Sequence, residues 1–166
     1  PYSVWAAGGG GHVLQGQSAS ARFHAAAVSV ATAEQPALLV SGGNHAGELP
    51  SSAAVRVIRS LPHSALMTLI DQARLVVCGG GDLMGQALAL GRNVVAVPVA
   101  KDQPPRIQAC LRQGLIRTAS PEPADIAAQA RAALASPLTP QIGAAAGLQG
   151  ALADVARLLM LDDGPG

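Results

Sequence analysis

Three consecutive glycines, Gly79, Gly80 and Gly81, follow a short apolar run from Leu75 to Cys78 and precede a segment that reads as a helix closed by Gly91. Glycines at such a junction let the backbone approach a phosphate, and the free N–H groups and dipole of the helix favour negative charge there. A second apolar run, Val94 to Val97, ends at Pro98, and Asp102 and Gln103 stand at the start of a further helix. A carboxylate, which only accepts, beside an amide, which does both, suits the reading of hydroxyl groups. Another glycine cluster, Gly8 to Gly11, follows the first strand candidate, with His12, Gln15, Gln17 and Ser18 after it as donors for a phosphate oxygen.

Each of these has a second reading. The triplet is also a tight strand-to-helix turn, Gln86 a helix-surface amide, Asp102 the cap of its helix, Gln103 a solvated side chain and His12 an exposed residue of a glycine loop. Asp82, directly after the triplet, caps a helix well but repels an anion placed there. The four histidines, His12, His24, His45 and His63, are separated, and no acidic cluster is present, so no metal site is expected. No Ser-His-Asp arrangement can be assigned, and the catalytic residues stay unknown.

The elements that must position these residues alternate. Strands are expected at 3–7, 37–41, 54–58, 75–78, 94–97 and, briefly, 115–118; helices are expected at 19–33, 64–72, 83–90, 102–114, 122–134 and 142–161. Ser18 is the N-cap expected for the first helix, and Asp102 for the fourth. Short apolar strands alternating with helices predict an α/β fold: a doubly wound, Rossmann-like parallel sheet of about six strands with helices on both faces. Such sheets bind ligands beyond the carboxyl ends of their strands, at the topological switch point. The glycine turns at Gly8 and Gly79 converge there if the strand order is 3-2-1-4-5-6.

The block from Arg74 to Gly114 resembles the C-terminal half of GT-B glycosyltransferases, including the peptidoglycan UDP-N-acetylglucosamine transferase and the macrolide and plant UDP-glycosyltransferases. Their pattern is roughly GG-x-x-[ST]-x-x-E-A-x-x-x-G-x-P, a short strand, P, a short loop, then D-Q. Gly79, Gly80, Gly81, Gln86, Ala87, Gly91, Pro98, Asp102 and Gln103 fall on that frame, over about a quarter of the chain. A weaker likeness, in the order of elements, extends over nearly all of it.

The resemblance implies a nucleotide-sugar-binding domain that transfers a sugar from a UDP- or dTDP-sugar to an acceptor hydroxyl, without a metal and with no cofactor beyond the donor. The glycine triplet and the first loop, Gly9, Gly10, Gly11 and His12, would lie against the diphosphate. Gln86 stands where the family has the Glu that accepts from both ribose hydroxyls. The Leu61-Pro62 turn would pack beside the base, with His63 placed to stack, and Asp102 and Gln103 would contact the donor sugar. Residues 1–166 would form a single C-terminal domain. The acceptor-binding N-terminal domain, which normally carries the general base, would belong to the same or a separate chain. Any membrane association would run through that missing half. Departures from the pattern fall at Asp82, at Leu83 and Met84 in place of Ser or Thr, at Gln86, and at Asn93 in place of Pro. They keep open a degenerate, non-catalytic scaffold or regulatory domain of the same fold, beside a nucleotide-sugar hydrolase or epimerase relative.

Composition narrows the rest. At 166 residues the chain is one domain's worth, and 49% hydrophobic residues suffice for a core. Only 2% are aromatic, so that core must be built from Ala, Val and Leu. Charged residues are 13% and the net charge is +1, without the basic surface of a nucleic-acid protein. Cys78 and Cys110 form no C-x-x-C and read as buried small hydrophobes, which fits a reducing, cytoplasmic setting. No apolar run approaches the ~18 residues of a membrane span, and no signal peptide is visible. The start at Pro1-Tyr2 without Met suggests a fragment or a processed chain. A nicotinamide-dependent oxidoreductase is disfavoured. From Gly9 and Gly11 the third glycine position is Leu14, and the strand at 37–41 ends without an acidic residue for a ribose.

Overall fold

The computed structural model of the protein describes residues 2–8, 13–14, 17–41 and 49–138. Six strands form one all-parallel sheet: β1 (Ser3–Ala6), β2 (Ala37–Ser41), β3 (Val55–Arg59), β4 (Leu75–Gly79), β5 (Val94–Val97) and β6 (Arg117–Thr118). Their spatial order is β3-β2-β1-β4-β5-β6, the doubly wound arrangement that the sequence predicts. A small antiparallel pairing of Val13–Leu14 with Gln17–Ser18 follows β1. The helices are α1 (Ala19–Val30), α2 (His63–Asp71), α3 (Asp82–Ala89), α4 (Pro104–Arg112) and α5 (Pro123–Ala135).

The inner strands are apolar throughout because both faces of a parallel sheet are covered. Successive side chains point to opposite faces. Trp5, Leu39, Val77 and Val95 therefore pack with α1 and α5, through Phe23, Ala26, Ala27, Ala127 and Ala130. Val4, Val76, Cys78 and Ala96 pack with α2, α3 and α4, through Ile70, Met84, Leu88 and Ile107. Trp5 is fully buried, and its indole N–H donates to Ser3 Oγ at 2.7 Å, two residues back on the same face. Edge strand β3 alternates differently: Arg56 and Arg59 are exposed there, which discourages a further strand from adding.

Several boundaries move. Ser18 caps α1 as expected, its Oγ accepting from the Ala21 N–H at 3.0 Å, but the helix stops at Val30. The final strand is confined to Arg117–Thr118, because Leu115 and Ile116 turn into the α2–α4 side of the core. The expected cap of α4 is a correction: the N-cap is Gln103, without any side-chain cap bond, and Asp102 lies outside the helix. Pro104 and Pro105 open that helix and carry no N–H, so two of the donors a cap would satisfy do not exist. Asp102 instead pairs with Arg106, one turn ahead. The expected helix at 142–161 lies outside the described residues. Among the described residues no helix is long and apolar enough to cross a membrane.

Candidate functional site

Two adjoining cavities lie beyond the carboxyl ends of β1 and β4, at the point where the chain winds outward in both directions. One has a volume of about 380 Å³ and is bounded by Ser41, Ser60, Leu61, His63 and Gln86. The other, of about 290 Å³, is bounded by Ala7, Gly79, Gly81 and Gln103. Ala6, Gly8, Asp82 and Leu83 line both, so the two form one cleft that runs over the start of α3. Gly8 has φ +102, a conformation side-chain-bearing residues rarely adopt, and it turns the chain off the end of β1 at the floor of this cleft. Ser60 is the one described non-glycine residue with positive φ (51), and it brings the turn after β3 to the cleft wall.

The glycine triplet divides by role. A Cβ on Gly79 would stand 2.8 Å from Val99 Cγ2, and one on Gly80 would stand 2.6 Å from Ile107 Cγ1. Both glycines are thus required by close packing of the β5–α4 segment against the end of β4. Gly80 is buried and lines neither cavity. Gly81 is different: its nearest neighbour for a Cβ is Gln103 Nε2 at 3.7 Å, and it faces the smaller cavity as the N-cap of α3.

Gln103 joins the two halves of the site. Its Oε1 accepts from the Gly80 N–H at 2.9 Å and from the Val99 N–H at 3.0 Å, and its side chain is almost wholly buried. Two donors on one oxygen fix the amide's orientation. Nε2 is left with no partner among the described residues, on a side chain that lines the smaller cavity. The N–H groups of Asp82 and Leu83, in the first turn of α3, likewise meet no carbonyl among the described residues, whereas that of Met84 donates to Gly81 O at 3.2 Å. Donors left over in this way suit an acceptor oxygen. Asp102, the other member of the pair, lines neither cavity; its side chain is exposed and held by Arg106, whose Nη1 also donates to Gly80 O at 3.4 Å.

Gln86 and Leu61 both line the larger cavity, as does His63 at the N-terminus of α2. Gly9, Gly10, Gly11 and His12 lie outside the described residues, as do Gln15, Asn44 and His45. Ser41 and Ser60 went unassigned in the sequence. The signal that finds Ser41 is its place at the carboxyl end of the strand beside β1; Ser60 carries no comparable mark. Asn93, a departure from the family pattern, sits at the opposite end of the sheet. There its Nδ2 donates to Ala133 O at 2.9 Å and its Oδ1 accepts from the Leu138 N–H at 3.2 Å. It fastens the end of α5 to the sheet and says nothing about the cleft. Cys78, on β4, and Cys110, on α4, are buried in the same core cluster, where desolvation pushes their thiols up to about 12 and about 11. Thiols held up in this way stay protonated at neutral pH, where they are poor nucleophiles.

Sheet order and cleft position define a doubly wound, Rossmann-like α/β domain with a cleft at the switch point, where such folds bind ligands. No family model matches the chain, and no curated protein matches its sequence. Solved structures do match. The glycotransferase of kitacinnamycin superimposes with a TM-score of 0.63 at 21% identity, over 98% of this chain and 40% of that one. Glycosyltransferase VinC, in complex with dTDP, gives 0.60 at 16% identity, over 99% and 38%. The spinosyn rhamnosyltransferase SpnG, complexed with thymidine diphosphate, gives 0.60 at 16% identity, over 96% and 42%. The chain therefore spans about two-fifths of the length of these structures and has the fold of that part of them.

Proposed function

We propose that this domain binds a nucleoside-diphosphate sugar in the cleft over β1 and β4 and serves as the donor half of a glycosyltransferase. The observation that carries the reading is the set of leftover donors. N–H groups at the start of α3 with no carbonyl partner among the described residues, and the Gln103 Nε2 beside Gly81, lie along a cleft whose larger cavity offers Leu61, His63 and Gln86. The base and ribose would lie in the larger cavity, with Gln86 against the ribose hydroxyls, and the diphosphate against these donors. The donors, preset by the fold, would stabilise the diphosphate as it leaves the sugar. The acceptor hydroxyl and its general base would come from an N-terminal domain in the same or another chain, so this chain alone binds donor but transfers poorly. The dTDP held by VinC and the thymidine diphosphate held by SpnG favour a pyrimidine nucleotide.

A calorimetric titration with UDP, dTDP, GDP and NAD⁺, run in both magnesium- and EDTA-containing buffer, tests this. Saturable binding of one nucleoside diphosphate supports the donor-domain reading. Silence from all four at millimolar concentration in both buffers favours the second reading, a non-catalytic scaffold. The observation behind that alternative is Asp82, whose carboxylate lines both cavities where the anion would sit.

A further inference from the structure

Asp102 and Gln103 stand together in sequence, but only Gln103 reaches the cleft. The Asp102 side chain is 61% exposed, lines neither cavity and is held by Arg106. A carboxylate nonetheless borders the Gln103 amide. Asp82 lines the smaller cavity with Gly81 and Gln103, and it is the one carboxylate among the described residues that line either cavity. A Cβ on Gly81, the residue before it, would lie 3.7 Å from Gln103 Nε2, so the amide nitrogen and the start of α3 border the same space. No described lysine or arginine lines the two cavities to balance Asp82, and segments 9–17 and 42–48 contain none in their sequence. The start of α3 offsets roughly half of its charge. A carboxylate left in this state repels phosphate oxygens, which only accept. It gains from hydroxyl groups, which donate to it in short, charge-assisted hydrogen bonds.

We propose that Asp82, not Asp102, is the carboxylate that reads the donor sugar, accepting from its hydroxyls in the smaller cavity beside the Gln103 amide. The inference rests on the donor-domain reading above. A nucleoside-diphosphate sugar offers hydroxyl donors on its ribose and on its sugar. Gln86, one turn along α3 from Asp82, lines the larger cavity only, where the ribose would lie, whereas Asp82 also lines the smaller one. The carboxylate thereby becomes a specificity residue. It favours a nucleotide that carries a hydroxylated sugar and penalises the bare diphosphate, which lacks those donors and carries one more negative charge. The cleft holds the donor before transfer more tightly than the nucleotide left after it.

The test is calorimetry on the whole chain with UDP, UDP-glucose, dTDP and dTDP-glucose, for wild type, Asp82→Asn and Asp82→Ala. Asp82 is exposed and makes no hydrogen bond among the described residues, so both variants should fold; circular dichroism confirms it. Wild type is expected to bind the nucleotide sugar about tenfold or more tightly than the bare diphosphate of the same base. In Asp82→Ala the affinity for the nucleotide sugar should fall by about tenfold or more. Affinity for the bare diphosphate should rise about threefold, because an exposed carboxylate repels weakly through solvent. Asp82→Asn keeps one acceptor oxygen and should fall between. A rise for both ligands in Asp82→Ala makes the carboxylate merely repulsive, and an equal fall for both places it against the nucleotide, not the sugar. Either result, or equal wild-type affinity for the two ligands, overturns the inference and leaves the donor-domain reading standing. Absence of binding of all four ligands by all three proteins overturns the donor-domain reading, and this inference with it.

Discussion

Replacing Gln103 separates what its two amide atoms do. In Gln103→Ala the N–H groups of Gly80 and Val99 lose their shared acceptor. An orphaned buried donor costs about 1–3 kcal/mol, so two cost about 2–6 kcal/mol. Gln103 borders a cavity, and water entering the vacated space can reach one of the donors, which places the expected loss at about 2–4 kcal/mol. For a chain of this size each kcal/mol lowers Tm by about 2–4 °C, so a fall of about 4–16 °C is expected. Trp5 is fully buried under α1 and α5, and its fluorescence reports the transition. Gln103→Glu tests the other atom. A carboxylate oxygen accepts the same two N–H groups, so Tm should stay within a few degrees of wild type. The Nε2 donor is gone, however, and negative charge replaces it beside the proposed diphosphate. Nucleotide affinity should fall by tenfold or more, about 1.4 kcal/mol. An unchanged Tm in Gln103→Ala would show that the two bonds contribute nothing. Wild-type nucleotide binding by Gln103→Glu would remove Nε2 from the site.

Gly80→Ala should destabilise by about 1–3 kcal/mol in urea, because its Cβ would fall 2.6–2.7 Å from Ile107, whereas Gly81→Ala, with 3.7 Å to its nearest neighbour, should leave stability unchanged. Asn93→Ala should cost about 2–3 kcal/mol by releasing Ala133 O and the Leu138 N–H, yet leave nucleotide affinity as it was, since it acts at the far end of the sheet. Cys78 and Cys110 should resist a thiol reagent at pH 8 in the native protein and react once it is unfolded. The unfolded thiols ionise near 9.0 and the folded ones only near 12 and 11, so folding stability should fall as pH rises above 9.0, measurable as a declining urea midpoint.

The elements were legible because a parallel sheet buried on both faces writes itself as unbroken apolar runs. Residues 37–41 and 94–97 keep their expected bounds, and alternation with handed crossovers leads to a doubly wound sheet, whereas the 3-2-1-4-5-6 order, a condition in the sequence, is set by the strand pairing. An Asp two residues before a proline pair looks like a helix cap, but the prolines remove the need for one, and Arg106, one turn on, holds the carboxylate. Asn93 was read against a family pattern as a site departure, although its side chain bonds to α5 and Leu138, partners 40 and 45 residues away in sequence. Contacts of that range leave no local trace.

The glycine triplet shows why a motif reading and a packing reading need not compete. Gly79 and Gly80 are fixed by Val99 and Ile107, and any domain that lays α4 this close to β4 would require them, ligand or none. Gly81 is not fixed in that way; its open side faces the cleft, beside the amide nitrogen that the packing of Gln103 leaves over. The same contact that satisfies the core therefore aims a donor at the cleft. A substitution that loosened α4 would misplace the Nε2 without touching any group that meets a ligand. Nucleotide affinity in Gly80→Ala should accordingly fall together with its stability, whereas Asn93→Ala, comparably destabilised, keeps its affinity. Equal affinities in the two variants, measured below either unfolding transition, would sever the link between the packing of α4 and the site.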